Sequence, residues 1–446
     1  MIPQSSTARP TRREWLAAVA LLALLGACAL RPSIRGNDGH GHYVYLASLL
    51  GDGDLDFADD YRDFDARRQY SYRFADLPVS DRTGRPSNRY GIGAALLWAP
   101  LVVPVWLVLA RTGDVNPLHP ALAGAVGLAT LLWGSLGLLL LYARLRRRWP
   151  VAPAAGAILA LLLATPLGFY LYAHGSMSHG VGFFAVAAAL LLFERAWRSP
   201  CPRSYGACGA LLALIPMIRF QDAVWVLILG GGLALKMAWE VRAGRVSAGK
   251  ALLHAAALAA GFLLAFLPQM FVWRTLYGSL LSGPMPYLTG SAGAFSPWPR
   301  HLLQVLVSER AGVLAWHPLI LFALAGLAAT LRDPRLRLIS AAGLTGFLLT
   351  LLLVASWSIW WAGASFGNRF FIGTLPALAF GAAWWLARPA PAARRAAWLV
   401  LGLLIVWNMG LLVQYATEMV PREDPVPWSQ VIRQNLIDVP QRILNR

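Results

Sequence analysis

Few residues in this chain could do polar chemistry, and they sit in short, glycine-marked segments. The first is Gly36-Asn37-Asp38-Gly39-His40-Gly41-His42, directly after an apolar run. A carboxylate beside a membrane surface can act as general base on an acceptor hydroxyl while a lipid phosphate leaves. The flanking glycines let a ligand approach the backbone. The competing reading of Asp38 is a solvated loop aspartate. The second group is arginine: Arg219 in Arg219-Phe220-Gln221-Asp222 and Arg369 in Gly367-Asn368-Arg369-Phe370. A guanidinium pairs with phosphate oxygens in a fork and can stabilise charge developing on a leaving phosphate. It can also simply snorkel to an interface.

Other polar groups are less telling. Asp52, Asp54 and Asp56, with Asp63 at the twelfth position, mimic a calcium loop, but Phe57 stands where the sixth position needs glycine. A turn and helix cap is the plainer reading. His174 and His179, five apart, do not share a helical face well, so loop hydrogen bonding is expected there rather than zinc. Cys28, Cys201 and Cys208 have neither disulfide-framework nor metal-ligand spacing. Arg12-Arg13 followed by an apolar run to Cys28 could pass for a lipoprotein leader, but a first membrane span is the expected reading.

The elements that position these groups are membrane helices. Hydrophobic residues make up 57% of the 446 positions and charged ones 13%, far from the balance of a soluble domain. Apolar runs of roughly 18–23 residues, without polar alternation, specify a helical bundle rather than a barrel. The net charge of +18 comes from short basic clusters between those runs. This excludes a nucleic-acid footprint and reads instead as membrane topology. The clusters are Arg9/Arg12/Arg13, Arg144/Arg146/Arg147/Arg148, Arg195/Arg198/Arg203, Lys236/Arg242/Arg245/Lys250, Arg332/Arg335/Arg337 and Arg388/Arg394/Arg395.

If every cluster is cytoplasmic, consecutive clusters are separated by an even number of crossings. Of the runs 14–31, 91–110 and 121–143, only two can then span. The run 91–110, which holds Pro100 and Pro104 and follows a long polar stretch, is expected to be juxtamembrane or re-entrant. Tyr205 to Trp239 would make a helix of roughly 52 Å, too long for one crossing. It must therefore turn, at Pro216 and Arg219-Phe220-Gln221-Asp222. Further spans are expected near 151–173, 177–196, 251–272, 314–331, 336–356, 371–387 and 396–414. The result is an all-α polytopic protein of about eleven transmembrane helices in a single integral-membrane domain, 1–446, with the N-terminus cytoplasmic and the C-terminus periplasmic in a bacterial inner membrane.

Three outer segments follow, at 32–120, 273–313 and 415–446. The first carries nine arginines against eleven aspartates, so it is nearly neutral. Within it Tyr43–Leu50 fits an amphipathic helix lying in the interface plane. Tyr170, Tyr172, Trp273, Tyr277, Trp357, Trp360, Trp361, Trp407 and Tyr415 gather at run ends as an interfacial belt would.

Together these features resemble the GT-C superfamily of membrane glycosyltransferases, in particular its protein O-mannosyltransferase and aminoarabinose-transferase branch. The resemblance spans nearly the whole chain. It rests on Asn37-Asp38 after the first span, on Gly84-Arg85-Pro86-Ser87-Asn88-Arg89-Tyr90-Gly91-Ile92-Gly93, and on Arg219-Phe220-Gln221-Asp222. Leu267-Pro268-Gln269, Tyr277-Gly278 and Trp360-Trp361 through Gly367-Asn368-Arg369-Phe370-Phe371 to Pro376 complete it.

The resemblance implies inverting transfer of a sugar from a polyprenyl-phosphate donor, with Asp38 as base and Arg219 and Arg369 on the donor phosphate. Asn37, His40, Arg89, Tyr90, Gln221 and Asn368 are expected to support them. Gly39 stands where the protein mannosyltransferases have a second acid, so the resemblance names no certain cofactor and leaves a divalent metal open. Only 415–446 follows the last run, so a lipid or glycan acceptor is expected rather than a large folded one. The partners expected are therefore the donor, such an acceptor and membrane lipids, with no nucleic acid. A transporter or lipid flippase is the rival from another class, but it should place ionisable groups near the midplane, often in inverted repeats. A polysaccharide polymerase or ligase would need no acid after the first span.

Overall fold

The computed structural model describes residues 9–31, 33–67, 73–113, 116–283 and 293–445. Parts of the expected outer segments, 68–72, 114–115 and 284–292, lie outside the described residues. The described chain is helical, and its only β-pairing is isolated bridges such as Phe295 with Trp357.

In chain order the α-helices are α1 (Arg12–Ala29), α2 (Gly36–Gly51), α3 (Ala58–Arg67), α4 (Gly93–Arg111), α5 (Pro120–Arg146) and α6 (Val151–Leu163). Then come α7 (His179–Arg198), α8 (Pro202–Ile218), α9 (Gly231–Arg242) and α10 (Ala248–Tyr277). The later helices are α11 (Leu302–Val307), α12 (Val313–Trp316), α13 (Leu319–Thr330), α14 (Arg337–Ala355), α15 (Leu375–Leu386), α16 (Pro391–Ala416), α17 (Trp428–Arg433) and α18 (Val439–Leu444).

The chain divides into two compact units. One comprises Leu21–Gly137 with Tyr170–Gly293, the other Met1–Ala20, Leu138–Phe169 and Ala294–Arg446. In the first, α8 packs on α10 and α7, and α2 packs on α3 and α4. In the second, α15 packs on α13, α6 and α16.

Each unit contains one helix pair pressed together at glycines. A Cβ on Gly261 of α10 would overlap the Gly206 carbonyl of α8, and one on Gly381 of α15 would overlap the Ala323 carbonyl of α13. With no hydrophobic drive between helices in lipid, close backbone approach supplies the dispersion that holds them. The outward face of α10 is the complement, because Leu252, Leu264 and Phe271 are exposed. Apolar surface on this scale belongs against lipid tails.

The chain is a multi-pass membrane protein, and eight of the described helical segments are long and apolar enough to cross a bilayer. One of them is Gly93–Arg111, which continues as a single helix through Pro100 and Pro104 instead of breaking at them.

Ion pairs bear on the parity argument. Arg146 Nε pairs with Glu14 at 2.7 Å and Arg148 with Asp333 at 3.0 Å, which gathers three basic clusters at one end of their unit. In the other unit Lys236 Nζ lies 5.8 Å from the Trp197 ring centre, joining two further clusters. The contact of Glu14 with Arg146 requires an even number of crossings between them, so α1, α4 and α5 cannot all be simple crossings.

The expected turn between 205 and 239 is present. Helix α8 stops at Arg219, whose backbone is extended (φ −147°), and a 3-10 turn, Phe220–Ala223, follows. The expectation for 43–50 is corrected. Tyr43, Val44, Tyr45 and Leu46 are all buried, so this part of α2 packs on every side and does not lie on a surface by one apolar face.

Candidate functional site

Asp38 lies in the first turn of α2 rather than in a loop, where the helix dipole favours its charge. It is half-buried and accepts a hydrogen bond from the Tyr90 hydroxyl at 2.5 Å. Tyr90 belongs to a segment that runs from Ser87 into α4, and most of this segment's polar groups are tied to something distant in sequence. Asn88 Nδ2 donates to the Gly41 carbonyl at 2.8 Å, while its Oδ1 accepts from the Tyr90 N–H at 3.0 Å. The Tyr277 hydroxyl donates to the Asn88 carbonyl at 2.8 Å and accepts from its N–H at 3.2 Å. Tyr45 donates to the Tyr90 carbonyl at 2.5 Å, and Gln269 Oε1 accepts from the Ile92 N–H at 3.0 Å.

Two glycines make this threading possible. A Cβ on Gly41 would enter the Tyr90 ring, and one on Gly91 would overlap the Met217 carbonyl, two residues before Arg219. The Asn88–Gly93 segment is thus wedged between the helix that carries Asp38 and the end of the helix that presents Arg219.

Arg219 itself is buried, 9% exposed. Its Nε lies 3.4 Å from Asp222 Oδ2, and its Nη1 lies 3.2 Å from His179 Nε2 and 3.4 Å from Ser178 Oγ. In the orientation that satisfies it, the Gln221 amide oxygen accepts from both Arg219 Nη2 and Nε. The guanidinium therefore has an internal counter-ion, and any phosphate it held would share it with Asp222.

His40 turns toward the helix start, its Nδ1 3.0 Å from the Gly36 carbonyl, and its ring packs on Phe64. Asn37 is buried and Arg89 half-buried. Asp38, Asn37, His40, Arg89, Tyr90, Arg219 and Gln221 all belong to the same compact unit.

Arg369 and Asn368 belong to the other unit. Arg369 is half-buried and opens the 3-10 turn Arg369–Thr374, from a loop braced by aromatic rings. Phe370 stacks on Trp357 with ring centres 4.9 Å apart, and Phe371 packs on Phe347 at 5.2 Å. Asn368 is buried, its Nδ2 donating to the Trp360 carbonyl at 3.1 Å. Gly367 adopts φ +62°, with the ring of buried His317 where a side chain would be. Asn368 thus braces the loop that carries Arg369.

The sequence pattern left Gln269 and Ser178 without roles and set Tyr277 in an interfacial belt, whereas it is buried against Asn88. Gln269 and Tyr277 lay inside quoted motifs, so their types were visible but their partners were not. His179 was expected to hydrogen-bond in a loop, but it stands in the first turn of α7 against Arg219. His174 Nδ1 lies 2.8 Å from Met177 Sδ. Among the described residues, the group of metal-capable side chains close enough to share an ion does not include Asp38.

Comparison with solved structures finds ArnT, the aminoarabinose transferase from Cupriavidus metallidurans, solved bound to undecaprenyl phosphate. It aligns over 91% of this chain and 71% of its own, with a TM-score of 0.51 and 14% identity. AglB, an oligosaccharyltransferase from Archaeoglobus fulgidus solved with an inhibitory peptide and a dolichol-phosphate, aligns over 96% of this chain, which spans 54% of AglB, at TM-score 0.48 and 13% identity. No family model matches the sequence, and no curated protein matches it. The likeness to ArnT gives this chain the GT-C fold.

Proposed function

We propose, starting from the GT-C fold, that this chain is an inverting glycosyltransferase that moves one sugar from a polyprenyl-phosphate carrier to a lipid or glycan acceptor at the periplasmic face of the inner membrane. The observation that carries the reading is the setting of Asp38: a half-buried carboxylate at a helix N-terminus, aimed by the Tyr90 hydroxyl. That environment suits a general base better than a solvated loop aspartate, because the hydrogen bond orients the carboxylate.

In the proposed step, Asp38 takes the proton of the acceptor hydroxyl as its oxygen attacks the anomeric carbon from the face opposite the phosphate. The bond between the anomeric carbon and the phosphate oxygen breaks, and the polyprenyl phosphate departs with the electron pair. A guanidinium fork would hold the leaving phosphate and offset its growing charge, the duty that the resemblance gives to Arg219 and to Arg369.

Reconstitution with a panel of polyprenyl-phosphate sugars tests this. Wild-type protein is expected to transfer sugar from at least one donor and Asp38→Asn to lose that transfer by about 10²–10⁴-fold. Full transfer by the variant would remove Asp38 as base, and no wild-type transfer with any donor would remove the reading altogether.

A further inference from the structure

A second cluster of carboxylates lies at the far end of the helix that carries Asp38. Asp52 closes α2 as its C-cap, and Asp59 and Asp60 lie in the first turn of α3. One carboxylate oxygen from each lies within 4.8 Å of those from the other two. The neighbouring aspartates are already used. Asp54 accepts from the Asp56 N–H at 2.8 Å and from Ser48 Oγ at 3.1 Å, and Asp56 accepts from the Ala58 N–H at 3.2 Å. They form the turn and cap that the sequence suggested, leaving a different set of three facing one another.

Asp60 distinguishes this set from an ordinary acidic surface. It is 7% exposed, and its Oδ2 is buried with no hydrogen-bond partner. A buried carboxylate oxygen beside two more carboxylates, and without a donor, is costly unless a cation completes it. No lysine or arginine among the described residues pairs with any of the three.

We propose that Asp52, Asp59 and Asp60 bind one hard divalent cation, which fastens the end of α2 to the start of α3. The donor set is all carboxylate oxygen, the chemistry of hard cations rather than zinc or copper. Asp60 supplies the anchored inner ligand, and exposed Asp52 and Asp59 leave outward positions for water. The ion touches no reacting group. It acts by fixing the helix whose other end presents Asp38.

The test uses the full chain in detergent micelles, stripped with EDTA and titrated with CaCl₂. Wild-type protein should bind one Ca²⁺ saturably, with a Kd no weaker than about 1 mM, and should melt several degrees higher when loaded. Asp60→Asn should abolish both effects. The double variant Asp52→Asn/Asp59→Asn, altered only at exposed positions, should keep or raise the EDTA melting temperature by relieving repulsion and yet lose the calcium response. Absence of binding in the wild type or undiminished binding in the double variant would overturn the assignment. None of these readouts depends on sugar transfer, so the cation site stands or falls separately from the catalytic reading.

Discussion

The two units hold their arginines in opposite ways. Arg219 is buried and bound on several sides, by the carboxylate of Asp222, the Gln221 amide, His179 and Ser178. Arg369 is half-buried at the start of a short turn, and the loop around it is braced by ring stacking and by Asn368. The first arrangement sets an arginine among polar side chains, while the second sets one at the edge of a loop held by aromatic rings. Two arginines with the same expected duty therefore differ in what their removal should do.

Arg219→Ala should show the largest effect, and on stability. It leaves Asp222 as an uncompensated buried charge, which costs about 3–5 kcal/mol. A large drop in melting temperature, with activity lost alongside it, is the expected outcome; an unchanged melt with selective loss of transfer would reverse the assignment. Arg369→Ala should do the converse. Its melting temperature should stay within a degree or two of wild type while transfer falls about 10²–10³-fold, the usual cost of losing a charge-stabilising donor.

Tyr90→Phe sharpens the contrast within the Asp38 unit. It removes one hydroxyl and leaves the ring that fills the space beside Gly41. A hydrogen bond to a charged group contributes about 1.5–3 kcal/mol, so transfer should fall roughly 10–100-fold with kcat affected more than KM. A wild-type rate would show that Asp38 is not aimed by Tyr90.

The smallest intervention tests orientation. In a Cys201→Ser background, a cysteine at exposed Asp81 should react with an impermeant maleimide from the periplasmic side only. Native Cys201, beside the cluster Arg195/Arg198/Arg203, should react from the cytoplasmic side only. Hydrogen bonds from Ser204 hold its thiol below the usual range, which favours the reactive thiolate. Labelling of both from one side would end the parity argument that excludes α4 as a simple crossing.

Composition and charge placement determined the all-helical membrane class, because each helix satisfies its own backbone and lipid leaves no other choice. The break at Arg219 was equally legible, since a 35-residue apolar stretch with a proline and three charged or amide groups in sequence cannot cross once. The candidate residues were legible as types: an aspartate flanked by glycines, and two arginines at run ends.

What the sequence could not say is which of those residues is free to act. That depends on partners 40 to 190 positions away, such as Tyr277 on Asn88 and Gln269 on Ile92. It also depends on whether α2 is buried on all sides or on one. Helical periodicity describes a residue's own element, whereas hydrogen-bond satisfaction and burial are set by whichever elements pack against it. For the same reason the tertiary structure alone separated Asp54 and Asp56, spent on a turn, from Asp52, Asp59 and Asp60, whose carboxylates converge.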